Sequence, residues 1–199
     1  MNKSRFEAFT EGVFAFAFTL LAIGFVLPEL HPPTDRTVTA ALLRLWPNLV
    51  AYGLSLMVVG IMWQNHQALF RMVRRVDRTT IFWNLALLGG AAFIPFATSA
   101  LGNYPTLRPT TFLYGLALSY CATAYNFMLG HLVRTRAFLP EIDASVVGQT
   151  VRAYRIGWAG YIAATLLALV VPIGAFAAYI AIAIYYLIPR GLDADLDQG

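Results

Sequence analysis

The chain has 199 residues, of which 59% are hydrophobic and 12% charged, with a formal net charge of +4. Soluble domains carry about 25% charged residues, so this composition, with apolar runs recurring along the whole length, excludes a soluble globular domain and describes an integral membrane protein. The single cysteine, Cys121, excludes an intrachain disulfide and a cysteine metal cluster. The basic residues fall between the apolar runs, as membrane topology requires and a nucleic-acid surface does not.

The first apolar segment, 5–27, is predicted to be a helix stopped by Pro28. It opens with Arg5, Glu7 and Glu11, an unusual start for a segment that is otherwise hydrocarbon. Lys3 and Arg5 resemble the basic start of a signal peptide, but Glu7 and Glu11 interrupt it and no soluble domain follows. At 100° per residue, Arg5, Phe9, Gly12, Phe16, Thr19, Leu20, Ile23 and Leu27 fall on one mostly apolar stripe, and Glu11 lies off it beside Glu7.

The connection 28–45 is proline-rich and includes "TVTAALLRLW", read as an interfacial turn or helix. A second span is predicted over 46–69 and closes on the polar run "WQNHQ". The third, 79–102, has Asn84 near its start and Gly89, Gly90 and Pro95 further on. The fourth, 109–132, carries Asn126 and His131 late, and a polar linker follows over 133–151. The last apolar run, 156–188, would be about 50 Å long as one helix, too long for one bilayer crossing of about 30 Å. Pro172 and Gly174 are expected to divide it into spans over 152–171 and 173–189, whereas a single bent helix would give five spans and place the tail outside. The pattern contains no internal repeat and predicts one transmembrane domain over 1–199.

Charge orients these six spans. Lys3 and Arg5, then Arg71, Arg74, Arg75 and Arg78, then Arg134, Arg136, Arg152 and Arg155, and finally Arg190 fall on one side. Only Arg36, Arg44 and Arg108 fall on the other, so both termini are expected in the cytoplasm. Arg5, Glu11, His66 and Asn84 then sit at one depth, near the cytoplasmic ends of their helices. Ionisable groups at membrane depth are costly and pair with one another, so a buried network of these residues is expected.

The motif "R-x-x-x-F-T-E-G-V-x-A-x-A-x-T-L", beginning at Arg5, resembles the first-helix signature of the lysosomal and prokaryotic potassium channels, the transmembrane protein 175 family. "WQNH" (Trp63 to His66) and "FWNLALLGGAAFIPFATSALGNY" (82–104, with Asn84, Pro95 and Phe96) are similar to the second and third helices of that family. The resemblance implies an all-α homotetramer of six-helix subunits, with four copies of the first helix lining a central pore. It implies a hydrophobic constriction at Phe16, a pore-facing Thr19 near which potassium passes, and further lining at Leu20 and Ile23. It also implies that Arg5, Glu11 and His66 belong to a network that braces the first helix and couples subunits. Glu11 stands where the family has Asp, and Phe16 where it has an aliphatic residue. The chain has no T-V-G-Y-G carbonyl filter.

The expected function is therefore a potassium-permeable cation channel of the cell membrane. Its expected partners are the bilayer, monovalent cations and copies of itself, with no nucleic acid, no resident metal and no cofactor beyond the permeant ion. A secondary or proton-coupled transporter is the alternative, but its usual repeats and broken helices are represented only by Gly89, Gly90 and Pro95. An intramembrane enzyme needs clustered catalytic groups, whereas His31, His66 and His131 lie in different segments and no H-E-x-x-H motif occurs.

Overall fold

A computed structural model describes residues 3–187. They form α1 (Lys3–Ile23), α2 (Asp35–Arg44), α3 (Trp46–Arg71), α4 (Arg78–Asn103), α5 (Arg108–Arg134), α6 (Ala144–Leu167) and α7 (Pro172–Leu187). The predicted end of the last span at 189, and Arg190 beyond it, lie outside the described residues.

Local chemistry explains most boundaries. Asp77 caps α4 by accepting from the Thr80 backbone N–H at 2.8 Å, and Asp143 caps α6 by accepting from that of Ser145 at 2.7 Å. Proline stands in the first turn of α3, α5 and α7, where a missing N–H costs no helical bond. Thr34 and Thr37 form a reciprocal capping box at the start of α2, which turns "TVTAALLRLW" into a short helix.

Three boundaries differ from expectation, one being the end of α6 at Leu167, short of the predicted 171. The first helix ends at Ile23 with a turn at Gly24, short of the predicted 27. The strand-like "FVLP" that follows suits an extended chain, because Pro28 disfavours helical geometry at Leu27. The linker predicted over 133–151 is helical from Ala144, since the Asp143 cap starts α6 eight residues before 152.

α1, α3 and α4 are long and apolar enough to cross a membrane by length and composition. α7 is a shorter apolar helix, and the tyrosines, threonines and Asn126 of α5 and the arginines of α6 make those two helices less apolar. α4 is central, packing against α1, α3 and α5 through the fully buried Leu87, Ala91, Ile94, Ala97 and Leu101. Gly90 admits the Cys121 thiol and the Tyr120 ring, and Gly102 admits the backbone of Asn48, contacts that any Cβ would obstruct. α6 and α7 form an antiparallel hairpin, with the Tyr186 hydroxyl reaching the Ala153 carbonyl and Tyr179 the Ala164 carbonyl.

Polar side chains link neighbouring helices inside this apolar packing. Ser55 of α3 hydrogen-bonds Thr98 of α4 at 2.7 Å and Tyr114 of α5 at 2.9 Å. Ser119 of α5 meets Thr165 of α6 at 2.8 Å. Where no water reaches, such groups must find partners in the protein, so each pair sets helix register as well as contributing contact energy.

The outer face of α1 and the polar cluster behind it

α1 presents two opposite faces. Phe6, Thr10, Phe14, Ala17 and Leu21 recur every three to four residues and are buried against α3 and α4. The opposite side carries Arg5, Phe9, Gly12, Phe16, Thr19 and Ile23, all exposed on the single chain, with Leu20 half-buried at the margin. Phe16 is 65% exposed and Ile23 69%, which is unfavourable for such side chains in water and natural only against lipid or another copy. Thr19 donates its hydroxyl proton to the Phe16 carbonyl at 2.8 Å, so its exposed oxygen can still act as an acceptor.

Behind this helix lies a buried polar relay. His66 of α3 donates from Nε2 to Asn84 Oδ1 at 2.9 Å. Asn84 of α4 donates from Nδ2 to Thr10 Oγ1 at 2.9 Å, and Thr10 donates to the Phe6 carbonyl at 3.0 Å. The direction follows from the end of the chain: the Thr10 proton is engaged, so its oxygen accepts the Asn84 amide, and Asn84 turns its carbonyl to the histidine. The imidazole is enclosed by rings, stacked on Phe70 at 4.4 Å and flanked by Phe6 and Phe14 at 6.0 Å each.

The structure thus joins His66 to Asn84 but does not bring Arg5 or Glu11 to them within one chain. Glu11 accepts from Gln67 Nε2 at 2.7 Å in an exposed position. Arg5 is exposed, and among the described residues it makes no ion pair. One residue along a helix turns the side chain by about 100°, so Thr10 faces α4 while its neighbour Glu11 faces out. Thr10 is the member that sequence reasoning missed. The signal was present, since Phe6, Thr10 and Phe14 share a helical spacing opposite to the outer stripe.

His131 belongs to a different site. Its Nε2 lies 2.7 Å from Asp77 Oδ2, tying the end of α5 to the start of α4. Desolvation raises the Asp77 pKa, but the bonds from the Thr80 backbone, His131 and the Thr80 hydroxyl outweigh it and hold the group at about 2, below its ordinary 3.8. A carboxylate with a depressed folded pKa stabilises the fold above its unfolded value and loses that contribution as pH falls through the folded value. Acidification from pH 3.8 to about 2 should therefore lower the melting temperature of the solubilised protein more than it lowers that of Asp77→Asn. Equal losses in the two proteins would show that other carboxylates govern acid stability. A short antiparallel bridge between Val73 and Phe138 joins the same two connections, with Arg74 donating to the Ala137 carbonyl and Leu139 to the Met72 carbonyl, each at 2.8 Å.

The model of the endosomal/lysosomal potassium channel TMEM175 family matches residues 5–95, from the first turn of α1 to Pro95 of α4. A potassium channel of Streptomyces collinus is 36% identical over 192 residues, 94% of this chain and 92% of that relative. The chain belongs to the TMEM175 potassium channel family. A potassium channel of Chamaesiphon minutus is 31% identical over 173 residues, 85% of each chain. The crystal structure of a lysosomal potassium-selective channel TMEM175 homolog from Chamaesiphon minutus superposes with a TM-score of 0.84 at 28% identity, covering 94% of this chain and 96% of that one. The endosomal/lysosomal proton channel TMEM175 of Rattus norvegicus is 30% identical over 138 residues, which is 28% of its length. TMEM175 proteins are ion channels and not enzymes, and this member is a membrane protein of that kind. The matched segment includes the whole outer stripe of α1 and the His66–Asn84–Thr10 relay.

Proposed function

We propose that four copies of this chain surround a central axis, with α1 lining a potassium-permeable pore. In this reading one domain, 1–199, crosses the cell membrane six times through α1, α3, α4, α5, α6 and α7, and both termini are cytoplasmic. The observation that carries the reading is the apolar outer stripe of α1. It lies opposite the buried face, carries Arg5, Phe9, Gly12 and Thr19 of the motif, and apart from the half-buried Leu20 is left exposed by the described residues. Closed cyclic assembly is the usual way to cover such a face with copies of itself.

Phe16 then forms the narrowest ring, Thr19 contacts the partly dehydrated ion one turn further on, and Leu20 and Ile23 continue the lining. A hydrophobic ring gates by dewetting, since an ion entering it loses hydration without gaining ligands. The exposed oxygen of Thr19 is suited to a cation because its own proton is occupied by the Phe16 carbonyl. Arg5 and Glu11, exposed on one chain, are assigned to contacts between neighbouring copies near the cytoplasmic mouth. No resident metal or cofactor takes part, and potassium itself is the transient ligand.

Two measurements test this. Light scattering of the detergent-solubilised protein should give the mass of a tetramer. Vesicles containing the purified protein should pass potassium above an empty control, with sodium and proton flux compared in parallel because the mammalian relatives are named proton channels. A monomer that conducts would remove the shared pore, and proton flux without potassium flux would remove the assigned ion. Thr19→Val keeps the side-chain shape and deletes the oxygen. It is expected to shift the reversal potential in mixed potassium and sodium toward the non-selective value while leaving total conductance within about twofold, that is within about 0.4 kcal/mol of barrier. An unmoved reversal potential would place selectivity at another layer.

A further inference from the structure

On the side of α4 and α5 that bears the arginine-rich connections, α4, α5 and α6 leave a pocket of about 560 Å³. Its walls are aromatic: Trp83 and Phe127 stack with centroids 4.7 Å apart, and Trp158 stands across from them, its indole N–H donating to Thr123 at 2.8 Å. His131, Arg134 and Arg155 supply its basic lining, with Thr79, Thr123 and Asn126 as neutral polar neighbours. Thr123 and Arg134 are eleven residues apart on α5, so the pocket extends about 16 Å along the helix axis.

The charge of this pocket is unbalanced. α4, α5 and α6 contain no aspartate or glutamate at all. Of the two carboxylates that cap α4 and α6, Asp77 stands beside the pocket but is bonded to Thr80 and to the lining His131, and Asp143 is bonded to Ser145. Among the described residues neither Arg134 nor Arg155 makes an ion pair. A second groove of about 390 Å³ along α6 shares Arg155 and adds Arg152, so the positive surface continues beyond the first pocket.

We infer that this pocket is a binding site for an anionic phospholipid, with Arg134 and Arg155 holding the headgroup phosphate and Trp83, Phe127 and Trp158 flanking the glycerol and upper acyl chain. Guanidinium groups match phosphate geometry with paired N–H donors. Basic pockets between transmembrane helices at the membrane surface recognise anionic headgroups. The aromatic depth of the pocket argues for an amphiphile over a small free anion, because a phosphate ion needs only the arginine mouth. Its volume lies within the range of about 300–1,000 Å³ usual for ligand pockets. The site lies on α4, α5 and α6, so it stands whether or not α1 lines a pore.

The test uses the tryptophans already in the pocket. The full chain is reconstituted in vesicles containing either brominated phosphatidylglycerol or brominated phosphatidylcholine at equal mole fraction, and tryptophan quenching is titrated. Phosphatidylglycerol should quench more strongly, and Trp83→Phe with Trp158→Phe should remove most of the excess. Arg134→Gln with Arg155→Gln should reduce the preference for phosphatidylglycerol by roughly thirtyfold, whereas Arg134→Lys with Arg155→Lys, which keeps the charge but not the paired donors, should keep only part of it. Millimolar inorganic phosphate should leave the quenching unchanged. Equal quenching of the parent protein by both lipids overturns the inference without recourse to any variant. Displacement by inorganic phosphate assigns the site to a soluble anion instead, and an unchanged preference in the folded glutamine pair shows that the arginines do not hold the headgroup.

Discussion

Phe16→Ala is expected to raise basal potassium flux by about an order of magnitude, equivalent to about 1.4 kcal/mol off the permeation barrier, and to reduce the preference for potassium. Phe16 is eleven residues beyond Arg5, about 16 Å along α1, and so lies near mid-membrane in the six-span reading. It is 65% exposed on the single chain, largely uncovered by the described helices. Four such rings facing one another would exclude water, and truncation would wet the constriction. Phe16→Asn should also wet it, through polarity at smaller volume. Phe16→Leu restores the aliphatic type that the family uses and should retain gating. Ile23→Ala, about 10 Å further along the axis, should have a smaller effect. Vesicle flux and single-channel recording distinguish these outcomes. A Phe16→Ala protein that assembles and conducts no better than the parent moves the gate to another layer. A Phe16→Cys protein modified only by lipid-soluble reagents would remove α1 from the pore.

Asn84→Ala is expected to be the most damaging polar substitution in the chain, lowering stability by about 2–4 kcal/mol. Asn84 is 1% exposed and serves two helices at once, accepting from His66 and donating to Thr10. Its removal leaves a buried imidazole N–H with no acceptor and breaks the link from α4 to α1. Glu11→Ala should cost much less within a single subunit, about 0.5–1 kcal/mol, because it loses one exposed hydrogen bond to Gln67. Thermal unfolding of the solubilised variants orders the two directly. The ranking also separates fold from assembly. If Glu11→Ala leaves subunit unfolding unchanged but lowers the oligomer's dissociation temperature, the glutamate acts between copies. If Asn84→Ala proves neutral, the relay is an incidental contact and α1 is held by its apolar face alone.

Most helices were legible in the sequence because apolar length and capping are local properties. The run over 46–69 emerged as Trp46–Arg71 and that over 79–102 as Arg78–Asn103, with Asp77 placed to cap the latter. The break near Pro172 was readable because proline suits the first turn of a helix and not its middle. The early start of α6 was also in principle readable, from Asp143 and its bond to the backbone of Ser145. It was hidden by the polar composition of the segment, which resembled a linker.

The site divides differently. Sequence alone determined that the chain is a membrane protein, which residues of the first helix share a face, and which motif they carry, because hydropathy and a 100° rotation per residue need no knowledge of neighbours. Topology read from charge also gave the expectation that Arg5, Glu11, His66 and Asn84 share one depth. Which of them touch was decided only by the tertiary structure. Contact across helices depends on the rotation and register of each, and an error of one residue exchanges Thr10 for Glu11. The same applies to His131, which meets Asp77 and not the α1 network, and to Gly102, whose missing side chain lets the Asn48 backbone approach. The arginines of the α4–α6 pocket follow the same rule: their charge is written in the sequence, but that they make no ion pair among the described residues depends on how three helices pack.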